Sequence, residues 1–340
     1  MVRIEPVDTR TADEALLRRL HEYYLPLEAE ELPGDDPAPF ERFLLDRRSM
    51  RADESIPRWV ALDGDEVVGS AVAYLNLEQN THMGFARVNV ARPRRGEGIA
   101  KALAGPLFDH LETEGRTLID TYIPEGFPSR AICERAGWKM AYREKRSRLA
   151  LTALDDALMG QWIDRAAERA ADYQLLALKA PFDEADLGAW CELQFQMNTE
   201  PREDLEMDDE VLTPAIWRDA EEKLAAARKS LYSVVAVHRE TGQWVGSSSI
   251  QTDDIHVAQA WQWETVTHPD HRNKGLGRWM KATNVLRVRD EIDGLGRIDT
   301  WNAGSNEPML NINIAMGFEP ILVLETWQGD LASARQRLGV

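Results

Sequence analysis

Apolar residues recur at helical spacing over residues 11–27 and 39–48, and a similar pair of amphipathic stretches returns over 183–197 and 213–229. After each pair the period shortens to that of strands. Residues 58–62 and 67–75 are apolar runs around Asp63-Gly64-Asp65, a turn signal, and they predict a hairpin. A third strand then leads into a glycine-bearing loop and a helix, 99–113 in the first instance and 276–289 in the second. A short strand (117–122; 297–301), a helix ending at a Gly-aromatic pair and a last strand close each set. Between the sets, 153–171 reads as a connecting helix with a stripe of Leu154, Leu158, Trp162 and Ala166. Residues 173–178 read as the strand that opens the second set.

The two sets are one unit repeated. Gly69-Ser70-Ala71-Val72 aligns with Gly246-Ser247-Ser248-Ser249, and Val88-Asn89-Val90 with Thr265-Val266-Thr267, at an offset of 177. The same offset aligns Arg95-Gly96-Glu97-Gly98-Ile99-Ala100 with Arg272-Asn273-Lys274-Gly275-Leu276-Gly277. Further on, Ile119-Asp120-Thr121-Tyr122 pairs with Ile298-Asp299-Thr300-Trp301, and Ala136-Gly137-Trp138 with Met316-Gly317-Phe318, the offset drifting to 179 and 180. A chain of 340 residues is too long for one ordinary core. The expected division is therefore 1–152, a connecting helix over 153–171, and 172–340.

Composition narrows the class. The chain is 44% hydrophobic and 29% charged, as expected of a soluble globular protein. It has no run of about 18 apolar residues, so no membrane span is predicted, and the N-terminal stretch lacks an apolar signal core. Cys133 and Cys191, one per half, make neither a disulfide framework nor a zinc site, and a reducing cytoplasm is expected. A net charge of −18 argues against nucleic acid and is compatible with a cationic substrate.

The chemistry resides in the loop. A strand, an Arg-x-x-Gly-x-Gly/Ala turn and a helix together form an anion cradle. Glycines let the backbone approach the ligand, and the helix N-terminus presents unpaired N–H groups and a positive dipole end. The spacing is neither that of a Walker loop nor Gly-x-Gly-x-x-Gly, so neither ATP nor NAD is indicated.

The segment from Val266 to Gly277, with Asn302-Ala303-Gly304-Ser305-Asn306 and Asn313-Ile314-Ala315-Met316-Gly317-Phe318 downstream, resembles the coenzyme A motifs of the GNAT superfamily of N-acetyltransferases. The resemblance covers nearly the whole chain, once per half, and tandem members such as mycothiol synthase share the architecture. It implies an α/β (α+β) fold of two tandem domains, each a mixed, mostly antiparallel sheet flanked by helices. It also implies acetyl-CoA as cofactor. The strand before the loop would face the acetyl and pantetheine part through Thr265, Val266 and Thr267, or through Val88 and Val90 in the first copy. The phosphate loop maps to Arg272, Asn273, Lys274, Gly275, Leu276 and Gly277, and to Arg95, Gly96, Gly98, Ile99 and Ala100.

The copies differ. Glu97 stands where Lys274 stands, and a like-charge pair at about 5 Å and an effective dielectric near 20 costs about 3 kcal/mol before screening. Gly126 replaces Asn306, and the family's Tyr position holds Cys133 in one copy and Asn313 in the other, so neither has the phenol that protonates the leaving thiolate. Glu264 is the carboxylate available as base on the strand before the loop, where the first copy has Arg87; Asp253, Asp254 and His256 on the preceding turn are alternatives. The tryptophans, Trp261, Trp263 and Trp301 among them, read as packing, and the acidic run 200–210 as a solvated loop. The expected activity is acetyl-CoA-dependent N-acetylation of a small amine by direct transfer in a ternary complex, with the second copy catalytic. The alternatives are a coenzyme A-binding pseudoenzyme and a different acceptor or acyl group. Oligomeric state stays open.

Overall fold

The computed structural model describes residues 2–340. Along the first copy run β1 (Arg3–Pro6), α1 (Glu14–Glu31), α2 (Phe40–Arg48), β2 (Glu54–Ser55), β3 (Arg58–Asp63), β4 (Glu66–Asn76) and β5 (Met83–Val90). After them come α3 (Ile99–Thr113), β6 (Leu118–Pro124), α4 (Arg130–Ala136) and β7 (Lys139–Ala150). The connecting helix is α5 (Asp156–Arg169). The second copy repeats the order with β8 (Tyr173–Lys179), α6 (Leu187–Gln194), α7 (Pro214–Ala226), β9 (Lys229–His238), β10 (Trp244–Asp253) and β11 (Gln259–Thr267). It ends with α8 (Leu276–Glu291), β12 (Arg297–Ala303), α9 (Glu307–Met316), β13 (Glu319–Asp330) and a further helix, α10 (Leu331–Leu338).

Local chemistry sets the ends of these elements. Asp13, Asp155 and Thr213 cap α1, α5 and α7 by accepting from backbone N–H groups three residues on. Gly137 and Gly317 close α4 and α9 in the left-handed conformation, which is why both copies keep a glycine before the aromatic. Two helices depart from the expected lengths. The first runs past Pro26 to Glu31, which brings Glu30 and Glu31 to the loop region. The helix expected over 183–197 is α-helical only from Leu187 to Gln194, with 3₁₀ turns on both sides.

The chain divides into two compact units that do not follow the repeat boundary. Unit 1 comprises Met1–Arg143, Arg202–Asp208 and Leu322–Val340, and unit 2 comprises Glu144–Pro201 and Asp209–Ile321. In unit 1 the strands lie in the order β1-β3-β4-β5-β6-β13, antiparallel except for β5 beside β6. In unit 2 the order is β8-β9-β10-β11-β12-β7, antiparallel except for β11 beside β12. Each copy's last strand thus completes the other copy's sheet, and its following helix goes with it. Leu331 and Ala334 of α10 join the core of Leu103, Leu107 and Leu111, whereas Met159 and Trp162 of α5 join that of Val285, Val288 and Ile298.

An ion cluster fixes one of these pairings. Asp299, fully buried on β12, accepts from Arg146 Nε at 2.9 Å and from Arg148 Nε and Nη2 at 2.7 and 2.8 Å, both arginines standing on β7. A buried carboxylate without such partners is strongly disfavoured. Asp120, the equivalent in unit 1, faces Gln328 instead, and burial pushes its carboxyl up to about 6. Among the described residues, no helix is long and apolar enough to cross a membrane.

Candidate functional site

The parallel strands β11 and β12 pair only from Gln259–Gln262 against Arg297–Thr300, and the ladder then stops. On its other edge β11 stays paired to β10, with a bulge: Ser248 faces Thr265, yet Ile250 faces Gln262. The extra residue sits at Trp263–Glu264 and re-aims both side chains. Trp263 is exposed and Trp261 lies under the Arg146 guanidinium at 4.6 Å, so neither belongs to a hydrophobic interior. Thr265, Val266 and Thr267 then run along the open edge towards the loop. The first copy has the same gap, because β5 and β6 pair only from Met83–Phe85 against Leu118–Asp120, short of Val88 and Val90.

Both loops have the expected backbone. Asn273 and Gly275 lie at φ 65° and 83°, and Gly96 and Gly98 at 88° and 82°. A Cβ added at Gly275, Gly96 or Gly98 would meet no atom within 4 Å, so the turns open onto free space. Gly275 caps α8 and Gly98 caps α3 without a side-chain acceptor, leaving the first-turn N–H groups of Leu276 and Gly277, or of Ile99 and Ala100, to an outside anion. Arg272 and Arg95 are anchored alike, each Nε donating to a strand-end carbonyl: Thr267 O at 3.1 Å and Val90 O at 3.2 Å.

What these arginines meet next separates the copies. Arg95 forms a two-pronged pair with Glu30 at 2.9 and 2.7 Å, and Arg87 pairs with Glu31, so the carboxylates ending α1 already neutralise both cations. Among the described residues, Arg272 beyond Thr267 O reaches the Thr199 hydroxyl at 3.1 Å and Glu200 at 3.5 Å. Glu97, expected to repel a bound phosphate, is instead held by Arg94 at 2.9 Å. It is Glu30 that competes with an anion there. Lys274 donates to the Tyr173 hydroxyl at 2.7 Å, and that hydroxyl bonds His271 Nδ1 at 2.8 Å. Burial and the Lys274 charge hold His271 below its ordinary pKa, the neutral form in which Nδ1 can accept from the phenol.

Glu264 lies on the open stretch of β11. Its carboxylate accepts from Ser249 and, at 3.3 Å, from Ser247, with Gln194 of α6 as a further donor. Gln194 also donates to Ser247 at 3.1 Å, and Ser249 bonds Ser233 at 2.7 Å. Burial pushes the carboxyl up to about 7, against the pull of these hydrogen bonds. Ser247, Ser249 and Gln194 went unmarked in the sequence reading, as did Lys281 of α8, a fully buried lysine whose amine burial pushes down and the Glu264 charge raises. Comparing the copies would have exposed Ser249 and Lys281, since Val72 and Ala104 stand in their places.

Other expected residues lie elsewhere. Asp253, Asp254 and His256 cluster at the far end of β10, where Asp253 accepts from the backbone of Ile255 and His256. Four residues of strand, about 13 Å, separate Asp253 from Ser249, so this turn does not share the loop's cleft. Asn306 caps α9 and donates to Glu200 at 2.7 Å, and buried Asn313 donates to Asn302 at 2.6 Å. The acidic run is tied down as well: Glu200 meets Arg272 and Asn306, while the backbone N–H groups of Glu206 and Asp208 donate to Gln328 and Asn80.

Comparison with known proteins agrees with this geometry. The model of the acetyltransferase (GNAT) family matches residues 17–138, within the first copy. Among solved structures, a tandem GNAT protein from the clavulanic acid biosynthesis pathway is 22% identical, with a TM-score of 0.78 over 97% of this chain and 99% of its own. A GCN5-related N-acetyltransferase from Sphaerobacter thermophilus is 14% identical, with a TM-score of 0.67 over 96% of both chains. No curated protein matches the chain. The chain carries the GNAT acetyltransferase fold in tandem. Acyl transfer from an acyl-CoA is the activity of that class, and acetyl-CoA is its usual donor.

Proposed function

We propose that the protein is an acetyl-CoA-dependent N-acetyltransferase acting on a small amine by direct transfer in a ternary complex, with the second copy catalytic. The observation that carries this reading is Glu264, a carboxylate of raised pKa on the unpaired stretch of β11, next to the loop that opens onto α8. The residues fit acyl-CoA: the first-turn N–H groups of α8 with Arg272 and Lys274 suit the phosphates, and the unpaired edge of Thr265, Val266 and Thr267 suits an extended pantetheine arm. Bound acetyl-CoA supplies an activated acyl group on a good leaving thiolate.

The protein's own residues do the rest. An amine reaches the site as an ammonium ion, and Glu264 takes its proton, directly or through one water, leaving a neutral nucleophile. Ser247, Ser249 and Gln194 keep the carboxylate aimed while its charge changes. The C–N bond forms, the C–S bond breaks, the new amide nitrogen releases its second proton to solvent, and the departing thiolate takes its proton from solvent, because Asn313 offers no acid where a phenol would stand. A thiol-release assay with acetyl-CoA and a panel of small amines tests the reading. Amine-dependent thiol release is expected. Binding of acetyl-CoA with no release on any amine would point to a pseudoenzyme.

A further inference from the structure

Unit 1 builds something different on the face that holds Glu264 in unit 2. By the repeat and by strand register, Ser70, Val72, Arg87 and Arg58 stand where Ser247, Ser249, Glu264 and Ser233 stand. A carboxylate among serines has been replaced by guanidinium groups among aromatics. Arg58 is buried, 2% exposed, and donates through Nη1 to the Tyr24 hydroxyl at 2.7 Å and weakly to Ser70 at 3.5 Å. Its Nε has no partner. Arg47, half-buried at the end of α2, stacks over Phe43 and Tyr24 with its guanidinium carbon 4.7 and 5.7 Å from the ring centroids. Among the described residues its side chain has no hydrogen-bond acceptor and neither arginine has an ion-pair partner.

The neighbouring carboxylates do not neutralise this pair. Asp46 is taken by both prongs of Arg42, at 3.1 and 3.0 Å, and burial biases Glu28 towards its neutral form. Arg87 and Arg95 each have their own glutamate, so Arg47 and Arg58 stand out. Two cations near one another, taken partly out of water without a counter-charge, are costly, and the strain registers in both directions. Burial and the Arg58 charge draw Arg47 below its ordinary pKa. Although burial opposes ionisation of the Tyr24 phenol, Arg58 and Arg47 outweigh it and draw that pKa down too. Guanidinium forks match the paired oxygens of a carboxylate or a phosphate, and an aromatic wall suits the carbon body behind them.

We propose that unit 1 binds a small oxyanion, a carboxylate or phosphate group of a small molecule, between Arg47 and Arg58 beside Tyr24. The site is independent of the catalytic reading of unit 2. The test uses the full-length protein in chloride of fixed ionic strength and follows binding of inorganic phosphate and of succinate by calorimetry and melting temperature. Binding of either anion is expected; phosphate alone would assign a phosphoryl group and succinate alone a carboxylate. Arg47→Met should weaken that binding at least 10-fold while leaving the melting temperature in chloride unchanged or higher, because the Arg47 side chain donates no hydrogen bond among the described residues and the bond it accepts from Thr9 is at its backbone carbonyl. Arg48→Met, at an exposed neighbour, should bind as the parent does. Three results would overturn the proposal. Neither anion binding beyond chloride is one, undiminished binding to Arg47→Met is the second, and a melting temperature several degrees lower in that variant, marking a purely structural arginine, is the third.

Discussion

Glu264→Gln should lower turnover about 10²- to 10⁴-fold with acetyl-CoA affinity nearly unchanged, the range expected for loss of a general base. Glutamine has the size of glutamate and can still accept from Ser247 and Ser249, so the variant removes the proton acceptor and the charge that acts on Lys281 while keeping the hydrogen bonds. The pH profile carries a second signature. With the carboxyl at about 7, the parent rate should rise through that pH as Glu264 loses its proton, and the variant should lack that limb. Stability should follow with a definite sign. An ordinary carboxyl at 4.5 is already ionised in the unfolded chain while the folded state still holds its proton, so between pH 4.5 and about 7 the folded protein binds more protons. The Glu264 contribution to stability therefore falls as pH rises through that window and does not return above it. Glu264→Gln has no such loss and should be the more stable form above pH 7. An unchanged rate with a good acceptor would leave the site without a base.

Residues 172–340 expressed alone should fail to fold stably, although they contain the whole second repeat. That fragment lacks β7 and α5, and with them Leu149, Leu151, Met159 and Trp162 of the unit 2 core. At about 1.5–3 kcal/mol for each large side chain buried, roughly 6–12 kcal/mol is lost, comparable to the whole stability of a domain, about 5–15 kcal/mol. Removing Arg146 and Arg148 also strands the buried Asp299 carboxylate, and β13 loses its partner β6. Residues 144–321 keep unit 2 intact and should be soluble with a cooperative melt. The account of strand exchange fails if 172–340 is soluble, melts with the full chain and binds acetyl-CoA unaltered.

The repeat, the order of elements and the two glycine-bearing loops were legible in the sequence because each is local. Strand period, capping residues and left-handed glycines such as Gly275 announce themselves within a few positions. The exchange of last strands was not legible, since residues 139–150 read equally as a partner for either sheet, and Arg146 and Arg148 could face Asp120 of the first copy as readily as Asp299 of the second. The stripe on 153–171 was read correctly as a packing face, but nothing in it names α8 as the neighbour. Glu97 is expected from its place in the loop to repel a bound phosphate, but Arg94 holds it; Glu30 comes into reach of Arg95 because α1 runs on past residue 27, where the apolar period ends. Glu264 was singled out from its place on the strand, whereas its hydrogen-bonding serines belong to a strand and register that only the folded sheet reveals.

The central claim, that the second copy is the one that takes the acyl-CoA, is tested most directly by calorimetric titration of acetyl-CoA into Gly275→Glu and Gly98→Glu. Both glycines have positive φ and open surroundings, so each glutamate would cost the fold about 1–2 kcal/mol while placing a carboxylate at the phosphate cradle. Tight binding should be lost in Gly275→Glu and retained in Gly98→Glu, where Glu30 already occupies Arg95. Loss of tight binding only in Gly98→Glu would contradict the account and assign the cofactor to the first copy.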